Sequence, residues 1–391
     1  MLAPINQAKI LLCGDISRVD RRSQALIELL CKSNKYFISQ LCPSFYWVNF
    51  DARLSLIKYI LSRLYWIELL IKAAFADVIY LLPMNAIFIK STIFAAKLFR
   101  KKIVVEMYIS LYDTEVRDRK RASDGSKLAR SYIEKDILAL KKSDYLIHSS
   151  NQELTYWEKI LNTDIDRKKV YIAPLCNVSF LLPKRSWMQD GTLNICWWGT
   201  FIPLHGLDNI LLATKILQER KLRFTCNLFG VDNKAFSDYV AKIQSYHLES
   251  LVFLRKDLNF TNGSLPNYLA NRCDLALGIF GNTDKAYHAI PNKLIEALSL
   301  GLPTLTMHSP ALREFFNPET ELWTCEPSPE AIAESILAIA SGEAYSVDWK
   351  QTREKVLKTF SLARYTEVVT EVLAKATDNL SHKQFTRSIY L

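Results

Sequence analysis

The sequence predicts an α/β chain built as two doubly wound parallel sheets in series. Three observations carry that expectation. Strand-like apolar runs alternate with helical periodicity almost throughout. The alternation restarts after a polar stretch, 183–192, which contains KRSWMQDG. And 391 residues are too many for one ordinary core, so two domains of about 200 residues each are expected.

Taken in order, strands are predicted near Lys9–Cys13, Tyr36–Leu41, Val78–Leu82, Ile103–Met107, Tyr145–His148 and Val170–Ala173. Helices fill the gaps near Arg22–Cys31, Leu54–Phe75, Lys90–Phe99, Ser126–Lys141 and Gln152–Leu161. The second half predicts strands near Asn194–Trp198, Thr225–Phe229, Leu251–Leu254, Leu275–Phe280, Thr304–Met307 and Leu322–Thr324. Its helices begin near Leu207, Ala235, Leu265, Pro291 and Pro329. The expected domains are 1–185 and 186–361, followed by an amphipathic segment, Leu362–Ala374, that crosses back onto the first domain and ends in a loosely held tail.

Composition narrows the function class. With 49% hydrophobic and 23% charged residues the chain reads as globular. The formal charge of +10 suits a phosphorylated ligand, anionic lipid or nucleic acid. No nucleic-acid recognition motif accompanies it, so nucleic acid is not expected. Eight scattered cysteines show no C-x-x-C pair and read as reduced thiols. The start shows no basic segment followed by an apolar one, and four N-x-S/T sequons read as chance, so a cytosolic location is expected. The longest apolar tract, 67–99, is broken by Lys72, Asp77, Pro83 and Lys90, too often for a membrane span.

The densest signal lies in 274–316. An apolar strand from Leu275 ends at Gly281-Asn282-Thr283, Pro291 opens a helix that stops at Gly301, and Pro303 starts the next strand. The free N–H groups and dipole of such a helix favour an anion in the preceding loop. Lys285, His288, Asn292, Lys293 and Glu296 are gathered there. Lys293 falls in the first helical turn, where it opposes the dipole; an anion beside it would explain the position. Glu296 reads either as a solvated helix carboxylate paired with Lys293 or as an acceptor for two ribose hydroxyls. No G-x-G-x-x-G, no P-loop and no G-x-S-x-G occurs, which disfavours dinucleotide oxidoreductases, P-loop ATPases and hydrolases of the elbow type.

These residues carry a resemblance. GTFIPLHGLDNILLA (199–213), DLALGIFGNTDKA (274–286), IPNKLIEALSLGLPTLT (290–306), SPALREF (309–315) and SLYDT (110–114) together resemble a family 4 (group 1) retaining glycosyltransferase of the GT-B fold. The resemblance spans the chain and is more specific in its second half. It implies two Rossmann-like domains facing a central cleft, a nucleoside diphosphate sugar held mainly by the second domain, and a glycan, lipid-linked or small-molecule acceptor held by the first. It also implies front-face attack with the leaving phosphate taking the acceptor proton. Two positions depart from the family pattern. Thr200 and His205 stand where many relatives have Arg and Lys, and His288 stands eight residues before Glu296 where many have Glu.

The resulting site expectations are as follows. His205, Lys285 and Lys293 stabilise the leaving diphosphate. Gly199, Thr200, Gly281, Asn282, Thr283, His288, Asn292 and Glu296 bind the donor, a UDP- or GDP-sugar, with no cofactor. Gly14, Ser110, Tyr112 and Asp113 face the acceptor; for Gly14 a plain tight turn, and for Asp113 a turn residue before a basic helix, are the alternatives. Glu106, a charge in an apolar strand, calls for a partner. Asp164-Ile165-Asp166 has the D-x-D form of metal-dependent glycosyltransferases of another fold, but precedes Arg167-Lys168-Lys169 in a turn, so no metal is expected. Basic clusters at Lys97, Arg100, Lys101 and Lys102 and at 117–130, with the apolar stripe Leu61, Leu64, Tyr65, Leu69 and Ile71, suggest an anionic membrane face. A sugar-nucleotide epimerase or phosphorylase of the same architecture, and a non-catalytic sugar or nucleotide binder, are the alternative functions.

Overall fold

The structure, a computed structural model, describes residues 8–14, 21–33, 36–40, 55–230, 234–260 and 262–388. The predicted strand end at Leu41, the helix start at Leu54, Asp15 and the last three tail residues lie outside these.

The chain divides into two compact units, residues 1–176 with 362–391, and residues 177–361. In the first, strands β1 (Ala8–Cys13), β2 (Tyr36–Gln40), β3 (Val78–Leu81), β4 (Lys102–Glu106), β5 (Tyr145–His148) and β6 (Val170–Ile172) form one six-stranded sheet in the order β2-β1-β3-β4-β5-β6. All pairs are parallel; Leu11 lies opposite Ile79, and Val104 opposite Tyr145. Parallel sheets are covered on both faces, which is why these strands are apolar runs without alternation. The connecting helices are α1 (Arg21–Lys32), α2 (Ser55–Phe75), α3 (Ile89–Phe99), α4 (Lys127–Lys142) and α5 (Asn151–Ile160). Ser126 and Ser150 cap α4 and α5 by accepting the N–H groups of Ala129 and Glu153.

The second unit repeats the plan. Strands β7 (Leu193–Trp198), β8 (Phe224–Phe229), β9 (Val252–Arg255), β10 (Leu275–Leu277), β11 (Thr304–Met307) and β12 (Trp323–Cys325) form a parallel sheet in the order β12-β11-β10-β7-β8-β9. Its helices are α6 (Leu207–Glu219), α7 (Lys234–Ser245), α8 (Ser264–Arg272), α9 (Asp284–His288), α10 (Asn292–Ser299), α11 (Pro329–Ser341) and α12 (Trp349–Thr359). The chain reverses direction across this sheet between β7 and β10, and ligands of such sheets bind outside the carboxyl ends of strands at that switch point.

The last helix, α13 (Leu362–Ser388), packs on the first unit against α1, β4, β5 and β6. Tyr365, Val369, Val372 and Leu373 are its buried row. The backbone stays helical well beyond the Ala374 end read from the sequence.

Some elements differ from the sequence reading. β10 ends at Leu277 rather than Phe280, because the chain turns off the ladder: Ile279 N–H donates to Thr306 Oγ1 at 3.3 Å and Phe280 N–H to His205 O at 3.1 Å. α9 and α12 were not anticipated, and Asp113–Asp118 forms a π-helical turn. The stretch 177–192 lies in the second unit, where Ser179 N–H donates to Ser299 Oγ and Lys184 N–H to Ala270 O.

Candidate functional site

The carboxyl end of β7 and the first turn of α10 meet at the switch point of the second unit. Gly199 leaves β7 at φ +149°. A Cβ there would lie 2.9 Å from Lys293 Nζ and 3.1 Å from His205 Cε1, so only glycine lets these three residues converge. Gly206 (φ +64°) is equally constrained, since a Cβ would strike the Phe280 carbonyl at 2.1 Å. That contact and the Phe280 N–H···His205 O bond lock the 203–206 turn onto the loop after β10. Asn209 adds a bond from Nδ2 to Phe280 O at 3.0 Å.

Lys293 is the unusual group. Its Nζ is buried, has no hydrogen-bond partner among the described residues, and sits 3.9 Å from the centroid of the Trp197 ring. Burial pushes its pKa well below the ordinary lysine value, and the Glu296 carboxylate pulls part of the way back. Pro291 precedes α10 as its cap, and no side chain satisfies the first turn. An ammonium held beside free helix N–H groups is a poor structural device on its own, and a good anion receptor.

Glu296 lies one turn on. Its Oε2 accepts Trp198 Nε1–H at 2.8 Å, and its side chain is buried. The bond orients the carboxylate and identifies it as more than a solvated helix residue. His205 Nδ1 lies 2.5 Å from Thr200 O, and its ring meets Trp197 edge-on at 5.9 Å. The sequence reading passed over the Trp197-Trp198 pair, although two bulky donors immediately before a loop glycine are a visible signal.

Lys285 and His288 ride on the short α9, capped by Thr283 Oγ1, which accepts Ala286 N–H at 3.2 Å. α9 packs against the 203–205 turn, so both residues belong to the same region as His205. His288 Nδ1 lies 2.7 Å from Asp284 O, which fixes its ring against its own helix. Gly281 is buried against the carbonyls of Pro203 and Leu204; Asn282 and Asn292 are exposed. The structure therefore gathers Gly199, Thr200, His205, Gly281, Lys293 and Glu296 closely, with Asn282, Thr283, Lys285, His288 and Asn292 on the elements around them.

The first-unit residues are placed differently. Ser110 Oγ–H donates to Asp136 Oδ2 at 2.6 Å and accepts Asp113 N–H at 3.0 Å. Tyr112 gives its N–H to the same Asp136 oxygen and its hydroxyl to Asp124. Asp113 accepts the Tyr156 hydroxyl at 2.7 Å. All three are buried, and the network organises the π-helical turn against α4. Burial pushes Asp136 up to about 6, its bond from Ser110 opposing this. These bonds tie the three residues into the local fold of the first unit. Gly14 is likewise covered: a Cβ would lie 2.5 Å from Asn85 Cγ, so the close approach there is by Asn85. Asp166 caps a short 3₁₀ turn by accepting Lys168 N–H at 3.0 Å.

Solved structures resemble this chain over nearly its whole length. HepE of Anabaena in complex with UDP-glucose aligns with a TM-score of 0.66 at 14% identity, covering 94% of this chain and 99% of that one. Sucrose-phosphate synthase of Thermosynechococcus elongatus aligns at 0.64 and 14%, covering 98% and 99%. A glycosyltransferase of Rickettsia africae aligns at 0.63 and 14%, covering 96% and 100%. The chain has the GT-B fold. The two Rossmann-like domains expected from the sequence are borne out by their two sheets and by these neighbours. No protein-family model and no curated protein matches the sequence.

Proposed function

We propose that the chain is a retaining, metal-independent glycosyltransferase that uses a nucleoside diphosphate sugar. The observation that carries this reading is the buried Lys293 ammonium, without a hydrogen-bond partner among the described residues, at the first turn of α10 and one turn from Glu296. A diphosphate seated there would meet Lys293 and the free N–H groups of α10. Glu296, aimed by Trp198, would accept the two ribose hydroxyls. The solved HepE complex with UDP-glucose makes a UDP-sugar the first donor to try.

The chemistry asks for stabilisation of the departing diphosphate as the glycosidic bond breaks. A cation fixed in a dry site supplies this more effectively than one in water, because nothing must reorganise as the charge develops. Lys293 is that cation; His205 and Lys285 border the same region and add donors. His288 takes the place near the sugar and sets donor preference. The acceptor is a glycan, a lipid-linked sugar or a small molecule, and the reaction needs no cofactor.

The test is release of nucleoside diphosphate from a panel of nucleotide sugars by purified protein, with Lys293→Ala and Glu296→Ala alongside. Loss in both variants with the fold intact supports the reading. Wild-type rates in both overturn it.

A further inference from the structure

The outer layer of the first unit carries an apolar face that the core does not use. On α2, Tyr65, Leu69 and Ala73 turn inward and are buried. The stripe read from the sequence thus splits, and its outward row is Leu64, Ile67, Ile71 and Phe75, of which Ile71 is 57% and Phe75 70% exposed. These follow one another at three- and four-residue spacing and form one helical face. On α3, Phe94 and Leu98 are 51% and 55% exposed. α2 and α3 pack side by side, with Trp66 of α2 meeting the Phe94 ring edge-on at 5.5 Å. Exposed apolar rows on two neighbouring helices mark an interaction site.

Charge says what covers it. Lys97 falls three residues after Phe94 on the same side of α3, Arg100 ends that helix in a left-handed conformation, and Lys101 follows just beyond it. None of the three has an ion-pair partner among the described residues. Nearby acidic groups are engaged: Glu68 pairs with Lys72, and Glu134 with Lys90. The other basic cluster is partly neutralised, with Arg119 and Arg121 both on Glu115. No helix among the described residues is long and apolar enough to cross a membrane. An apolar face rimmed by unpaired cations is the pattern of helices that lie in a bilayer interface.

We propose that α2 and α3 dock the protein on an anionic lipid bilayer, with Ile67, Ile71, Phe75, Phe94 and Leu98 entering the headgroup boundary and Lys97, Arg100 and Lys101 on the phosphates. The proposal does not depend on the glycosyl-transfer reading.

The test is co-sedimentation of the full chain with vesicles of phosphatidylcholine alone and of phosphatidylcholine mixed with phosphatidylglycerol. Wild type pellets with the mixed vesicles, and added salt weakens this. Lys97→Glu with Lys101→Glu weakens binding to the mixed vesicles by about tenfold or more. Ile71→Ser with Phe94→Ser lowers binding to both vesicle types. Ile71, Phe94 and Lys97 are exposed and Lys101 is half-buried, and an unchanged melting temperature verifies the fold. Wild type left in the supernatant overturns the proposal, as does binding unaltered in both double variants. A concentration-dependent dimer that disappears in the Ile71, Phe94 variant also overturns it, by assigning the face to a second copy.

Discussion

Lys293 Nζ lies 3.9 Å from the centre of the Trp197 ring, and no oxygen of the described chain bonds to it. The ring face supplies some electrostatic compensation, worth about 2 kcal/mol for a desolvated pair. That is less than the cost of burying an ammonium. Lys293→Met keeps the length and removes the charge. It is expected to leave the ligand-free protein at least as stable, by about 1 kcal/mol, while reducing turnover about 100-fold or more. Thermal melts and steady-state kinetics on the same preparation check both halves. A fall in both stability and turnover would point to a structural lysine.

Glu296 divides into two separable roles. Glu296→Gln retains an oxygen for Trp198 Nε1–H, so its melting temperature should stay near wild type while donor KM rises about tenfold. Glu296→Ala leaves that indole N–H unpaired and should cost a further 1–3 kcal/mol or about that in urea unfolding. Equal KM values for the Gln variant and wild type would remove Glu296 from the ribose.

At a pH between the depressed free-protein pKa of Lys293 and its raised pKa in the complex, donor binding should take up a proton. Burial depresses the Lys293 pKa in the free protein, and a neighbouring diphosphate raises it. Affinity is then full below the depressed free-protein pKa and is lost as pH rises through the raised pKa of the complex. Calorimetry of UDP binding in buffers of different ionisation enthalpy measures the uptake. Lys293→Met should abolish it, whereas His205→Gln should not.

In the first unit, Glu106 joins α1, β3 and α13. Its carboxylate receives Arg22 Nε–H at 2.5 Å, the Tyr80 hydroxyl at 2.6 Å and the Tyr365 hydroxyl at 2.9 Å. Arg22 also binds Ala173 O. Glu106→Ala strands a buried guanidinium and should lower stability by about 3–5 kcal/mol. Because α13 is held through Tyr365, the variant should also show faster amide exchange in α13 than in β7 or β8.

The fold was legible where periodicity decides. The strand runs Tyr145–His148 and Thr304–Met307 coincide with β5 and β11, since a covered parallel strand is simply a short apolar run. The demand that Glu106 find a partner also held, although Arg22 could not be named, being distant in sequence. α9 was hidden because five residues after a glycine loop carry no period. The π-helical turn at Asp113 was hidden because its organiser, Asp136, lies on α4. For the same reason the bonds of Ser110 and Tyr112 to Asp136, and of Asp113 to Tyr156, could not be read from local spacing. For the donor side, residue types were visible in 274–316, but the burial of Lys293 against Trp197 was not.

The most direct measurement is the melting temperature of the purified chain with UDP, GDP and their sugars, for wild type and Lys293→Met. Ligands that bind only the folded state raise it. The account predicts that at least one nucleotide sugar raises the wild-type value by several degrees, or about that, and leaves Lys293→Met unmoved. No shift with any of them, or an equal shift in both proteins, would contradict it.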